Sequence, residues 1–280
     1  MKRAKRPIAK IAKHTLLDEI RQRSFVVMFL VCVVFVFLVR GCYQGNYVVN
    51  GQALDAATIA GVVSKAAFHA VAVVTMLLSA LFSMRAFRRD RDSGMQSLIL
   101  SRPITRRQYV LGKAAGLWVL SAVFMLVLQA IVFLIAAVSL KITMPGYIAA
   151  SLLCSLNLLF VVVAVLLLSL LMPEIVAFLF IMGIAVVGLV LDGINALSGS
   201  QIAQTMTFWA GRRAKPNLSP GEIFYYVWPK VLGMQRFASS FINGEGFQGI
   251  RSVYPLFNIL LYCLILGALL LWRFGREEIV

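Results

Sequence analysis

Charge is scarce in this chain. Asp, Glu, Lys and Arg make up 14% of its 280 residues, against roughly a quarter in a soluble domain. Acid is scarcer still, with 11 carboxylates against 27 Lys and Arg. Only two histidines occur, His14 and His69. No Ser/His/Asp set, HExxH pair or paired-carboxylate site is legible, which argues against an enzyme embedded in the membrane. The four cysteines are Cys32, Cys42, Cys154 and Cys263. None forms a CxxC pair, so neither a disulfide framework nor a Cys-based metal site is expected. A phosphate loop is missing as well. Gly112-Lys113 resembles the end of one, but Arg107 stands where its first Gly belongs and Ala114 where Ser or Thr belongs. The chain is therefore not expected to hydrolyse ATP by itself.

Apolar residues are abundant, at 61%. They gather in runs near 20 residues, the length that crosses roughly 30 Å of hydrocarbon as a helix. The expected fold is an all-α polytopic membrane protein with six spans and a single permease domain over 1–280. The spans are predicted near 24–39, 58–83, 114–138, 147–172, 175–196 and 253–272. Pro173-Glu174 alone separates the fourth and fifth, so a tight hairpin is expected, with Glu174 at the membrane surface. The basic N-terminus is read as a retained segment rather than a cleaved signal, because the apolar run begins only near Phe25.

Six spans put both termini on one side. Of the 27 Lys and Arg, eight lie in 1–23, eight in 84–113 and two in the C-terminal tail. Excess positive charge marks the cytoplasmic face. The predicted setting is thus the cytoplasmic (inner) membrane of a bacterium or archaeon, with both termini inside. The same distribution accounts for the net charge of +16 without nucleic acid. The loop 197–252 then lies outside and carries six positive charges, against the rule, which long loops obey poorly.

Residues 7–23 read as an amphipathic interfacial helix, with Ile8, Ile11, Ala12, Leu16 and Ile20 on one arc. In the outer loop, SPGEIFYYVWPKV at 219–231 predicts a short helix, started by Ser219-Pro220 and rich in aromatics that favour the headgroup zone. Insertion into the outer leaflet and packing on the spans are both open. Small-residue pairs at helix-packing spacing occur at Gly112–Gly116 and Ala60–Ser64, a weak signal. Inside the spans, Lys65, His69 and Asp192 are the candidate polar residues of a translocation path. Lys65 and His69 share a helix face. Lys65 also reads as a snorkelling residue near the outer end.

The segment 84–113 is the one internal stretch dense in charge, with Arg85, Arg88, Arg89, Arg91, Arg102, Arg106, Arg107 and Lys113. Ser93-Gly94 can break a helix continuing from the second span. Met95–Leu100 can form a short helix with Met95, Leu98 and Ile99 as its apolar edge. Pro103 forces the chain out of it. Thr105 is a plausible N-cap for the helix leading into the third span. Such a loop suits docking on a partner, and its arginines alone would suit anionic lipid.

DRDSGMQSLILSRPITRRQYVLGK resembles the first cytoplasmic loop of ABC-2-type transporter permeases. That family commonly shows an acidic residue, Gly-Thr, a Leu-rich short helix, Pro, Ser/Thr-Arg and Gly-Lys. Matching positions are Asp92, Gly94, Leu98, Leu100, Pro103, Thr105, Arg106, Gly112 and Lys113. Asp92 stands where Glu is usual, and Met95 where Thr is usual. The layout is also similar: a leading helix containing TLLDEIRQRSF, six spans, and a longer loop before the last.

The resemblance implies a permease subunit of an exporter, whose short loop helix docks on a separate ATPase holding ATP and magnesium. It implies a second permease copy beside the first, and contact of the leading helix with the ATPase. No cofactor is expected in this chain. The residues expected to couple to the ATPase are Asp92, Gly94, Leu98, Ile99, Arg102, Pro103, Arg106 and Arg107. An alternative is an ATPase-driven complex that acts on an outer partner through the 197–252 loop without moving a solute. Lipid, glycan, peptide, drug and a copper-linked maturation factor are all open as substrates.

Overall fold

The computed structural model describes residues 7–43, 48–49, 52–53, 56–92, 94, 104–140, 146–198, 227–242 and 250–276. These form nine helices, α1 (Pro7–Ile20), α2 (Arg23–Tyr43), α3 (Ala56–Met84), α4 (Ala86–Asp92), α5 (Arg106–Leu140), α6 (Gly146–Ser169), α7 (Glu174–Ser198), α8 (Val231–Ser240) and α9 (Ile250–Gly275). One minimal antiparallel pair, β1 (Val48–Val49) with β2 (Gln52–Ala53), lies between α2 and α3.

Among the described residues, four helical stretches are long and apolar enough to cross a membrane. They are Gly61–Asp92, Arg106–Ser139, Gly146–Ser169 and Val253–Gly275. The pair α1 and α2, bent by 72°, makes a fifth if counted as one span. In α7 the apolar stretch Glu174–Gly188 is shorter.

α6 is apolar all round, the signature of a helix enclosed by others, and it is central: 72% of its apolar window is buried, against 17% for α9. Its serine hydroxyls turn back onto the helix. Ser151 Oγ donates to Tyr147 O and Ser169 Oγ to Leu166 O. Thr75 and Ser83 do the same in α3. A hydroxyl satisfied by its own helix costs little in an apolar setting. On one flank, Phe25 and Phe29 of α2 pack edge-on against Phe124 of α5, with centroids 5.8 and 5.4 Å apart.

The second span runs further than its apolar run. Residues 86–92, expected within the charged loop, are helical and nearly continue α3, with Arg89 N bonded to Arg85 O at 2.9 Å. Gly94 then ends the helix at φ +67°, a left-handed conformation that glycine adopts without strain. Thr105 caps α5 as expected. Gln108 N donates to Thr105 Oγ1 at 3.3 Å, and Thr105 N donates to Gln108 Oε1 at 3.1 Å. This reciprocal pair satisfies two backbone donors. The turn between α6 and α7 is as tight as expected, with Ala177 N bonded to Pro173 O.

Two expectations meet the described residues only in part. In α1 the buried line is Ile11, Thr15 and Glu19, whereas Ile8, Leu17 and Ile20 stay exposed. The helix lies along α5, and Gly112 and Gly116 explain why. A Cβ at Gly112 would stand 2.8 Å from Ile11 Cβ, and one at Gly116 would stand 2.8 Å from Ala12 O. The small-residue pair is thus a groove for α1, and Ile11 and Ala12 of the apolar arc lie against it. In the segment 197–252 the described helix is α8, and residues 219–226, where the short helix is expected to start, lie outside the described residues.

α8 is packed among α3, α6, α7 and α9. Its start reaches the middle of the spans. Asn157, midway along α6, donates from Nδ2 to Val231 O at 2.9 Å. Trp228 Nε1 donates to Ile184 O at 3.2 Å, and Tyr262 Oη donates to Val227 O. Its other end lies at the start of α6, where a Cβ on Gly146 would fall 1.9 Å from Phe241 O. The segment 227–242 therefore runs from mid-depth to the level of the start of α6.

Candidate functional site: the coupling junction

The two ends of the 94–105 segment are fixed by one buried cluster. α4 brings Asp90 and α5 brings Tyr109 and Lys113, one helical turn apart on the same face. Tyr109 Oη donates to Asp90 Oδ2 at 2.6 Å, and Lys113 Nζ pairs with the same oxygen. The Lys113 and Asp90 side chains are 4% and 10% exposed, so the charges are held away from water. A buried carboxylate is tolerable only when paired and hydrogen-bonded. Around it, Phe87, Tyr109 and Phe274 stack with centroids 5.3 to 6.3 Å apart. That stack joins the end of α9 to the same point.

α1 enters through Arg89. Its guanidinium meets Asp18 at 2.7 Å and Glu19 at 3.0 Å. Gln22 Nε2 also donates to Glu19 at 2.7 Å. Burial raises the Glu19 carboxyl above its ordinary value, while the Arg89 and Lys113 charges oppose that shift. The α6–α7 turn enters through Glu174, which lies 3.7 Å from Arg85 and 3.6 Å from Arg88. Its place at the first residue of α7 also sets its charge against the positive end of the helix dipole. Between α4 and this turn lies a cavity of about 310 Å³, lined by Phe87, Arg88, Arg91, Ser169, Met172 and Glu174. One end of the molecule thus links α1, α4, α5, α9 and the α6–α7 turn.

A family model of the ABC-2 family transporter proteins matches residues 9–279. The chain belongs to the ABC-2 transporter family. Comparison with individually curated proteins found no match. Membership of the ABC-2 family makes this an integral, multi-pass membrane protein and the membrane component of an ABC transporter, and it implies a partner ATPase.

Of the expected coupling residues in this ABC-2 chain, four are described. Asp92 pairs with Arg88 one turn away at 3.7 Å. Gly94 ends α4. Arg106 donates to Gly275 O at 3.4 Å. Arg107 is exposed in the first turn of α5. Leu98, Ile99, Arg102 and Pro103 lie outside the described residues. Lys65 and His69 sit together on α3, far along the chain from this junction. Asp192 falls in α7, and its side chain lies outside the description.

Asp90, Tyr109, Glu19 and Asp18 escaped the sequence reading, and Lys113 was read only as a motif position. One signal was present. Asp90 is a lone acid within a run of arginines, and Tyr109 and Lys113 share the helix face that meets it.

Proposed function

We propose that this chain is the transmembrane permease subunit of an ABC transporter, exporting its substrate with ATP hydrolysed by a separate subunit. Two copies of the chain, each with six spans and both termini in the cytoplasm, work with two ATPase copies. The junction end is the cytoplasmic face, because it collects the N-terminal helix, the 84–113 segment and the C-terminal end of α9. Residues 94–105 carry the docking helix, with Leu98 and Ile99 as its apolar edge, Gly94 and Pro103 as its ends, and Asp92, Arg102, Arg106 and Arg107 as its charge contacts. Lys65, His69 and Asp192 belong to the translocation path.

The observation that supports this most is the mounting of the segment. Both its ends meet at the Asp90–Lys113 pair, so a push on the loop reaches α3 and α5 together. Co-expression with the ATPase tests it. Leu98→Asp with Pro103→Ala should abolish ATPase co-purification while the permease still folds. Unchanged co-purification refutes the docking role.

The depth of α8 favours a second reading, in which movement of the spans is delivered to an outer partner without solute export. Excising part of 199–222 separates the two. Intact export by that variant removes the second reading.

A further inference from the structure

Two firmly held walls enclose the cavity of about 310 Å³ at the junction. One is α4, fixed by the Asp90–Lys113 pair and by the stack of Phe87 on Tyr109 and Phe274. The other is the α6–α7 turn. There Leu171 N and Met172 N both donate to Leu168 O at 2.9 Å, and Ala177 N donates to Pro173 O at 3.0 Å. A cavity with walls already in place costs its occupant little ordering.

The lining divides by chemistry. Phe87, Leu170, Met172 and Pro173 are apolar, and Arg88 and Glu174 are charged. Phe87 is buried. An apolar centre within a charged rim is the build of an interface pocket that takes one large side chain. The volume suits that, at the low end of ligand clefts of roughly 300–1,000 Å³.

The rim is loosely paired. Arg85 and Arg88 share Glu174, at 3.7 and 3.6 Å, and their side chains are 74% and 69% exposed. Asp92 meets Arg88 at 3.7 Å and is equally open to water. Exposed pairs of this kind hold little free energy, so carboxylates of a partner can replace them at small cost. With Arg91 also in the lining, three arginines stand against two carboxylates, and the rim favours an acidic surface. The place matters too. Gly94 ends α4 two residues beyond Asp92, so a protein that grips residues 94–105 also reaches this cavity.

We propose that the cavity is a second docking point for the ATPase, filled by one large apolar side chain flanked by acidic residues. This deepens the permease reading, on which it rests for the identity of the partner. It gives α6 and α7 a contact of their own. A push then reaches the most enclosed helix without passing through the 94–105 segment.

The full chain is co-expressed with the ATPase, and Met172 is replaced by photo-reactive p-benzoylphenylalanine. Illumination of membranes should yield an adduct with the ATPase, identified by mass. The same replacement at Val186, exposed on α7, should yield none. Arg85→Ala combined with Arg88→Ala should weaken ATPase binding about tenfold. In about 1 M salt, where the screening length is about 3 Å, the difference should shrink to about threefold or less. A purely structural role for the arginines would lower the thermal midpoint and leave the salt dependence unchanged. No ATPase adduct at Met172, an adduct only with lipid or with a second copy of the chain, or wild-type ATPase binding by the double Arg variant overturns the inference. The permease reading survives those results if Leu98→Asp with Pro103→Ala still abolishes co-purification. If that variant also co-purifies unchanged, the docking role of 94–105 fails as well.

Discussion

Replacing Lys113 by Met removes a cation buried against Asp90. The methionine stem keeps most of the lysine's packing, so the change isolates the charge. Stranding one member of a buried ion pair costs about 3–5 kcal/mol. At roughly 2–4 °C per kcal/mol for a domain of this size, the midpoint should fall by about 10 °C. Asp90→Asn should cost a similar amount, although it leaves an oxygen to accept from Tyr109. Combining the two removes both charges, and the loss should fall short of the sum by about 2 kcal/mol. The assay is intrinsic tryptophan fluorescence during heating in detergent, at one fixed heating rate because such unfolding is often irreversible. A Lys113→Met midpoint within about 2 °C of wild type, or a double variant equal to the sum of the singles, would refute the reasoning.

Gly146→Ala should prevent α8 from seating, because the new methyl would fall on Phe241 O; a lower midpoint and faster proteolysis near 227–242 are the checks. Glu19 gives a pH signature. Its raised folded value means that folding favours the protonated form. Its contribution is therefore fully present below the ordinary carboxylate range and lost as pH rises through the folded value. The midpoint of Glu19→Gln relative to wild type should accordingly climb from about pH 5 to pH 8, and a flat difference would refute the assignment.

Periodicity made most of the helices legible, since long apolar runs permit little else when backbone groups must be satisfied internally. Thr105 as a cap and Gly94 as a stop were legible for a related reason: both are local backbone requirements, written in one or two residues. The seat of α1 was not legible. Its apolar arc gave a face, but only the fold brings Ile11 and Ala12 of that arc against Gly112 and Gly116, a partnership more than 90 residues away in sequence. The same holds for Asp90 and Lys113. Either reads alone as one more charge in a basic loop, and only the crossing of α4 and α5 makes them a buried pair.

By itself the sequence determined that this is a helical membrane chain of the ABC-2 type, because apolar run length, charge sidedness and the Gly94-to-Lys113 pattern are local quantities. Only the tertiary structure decided that α8 reaches mid-depth, that α1 seats on a glycine groove, and that one buried pair ties both ends of the 94–105 segment. Those depend on which distant backbones approach closely. Side-chain volume and charge settle that in three dimensions, and no period along the chain records it.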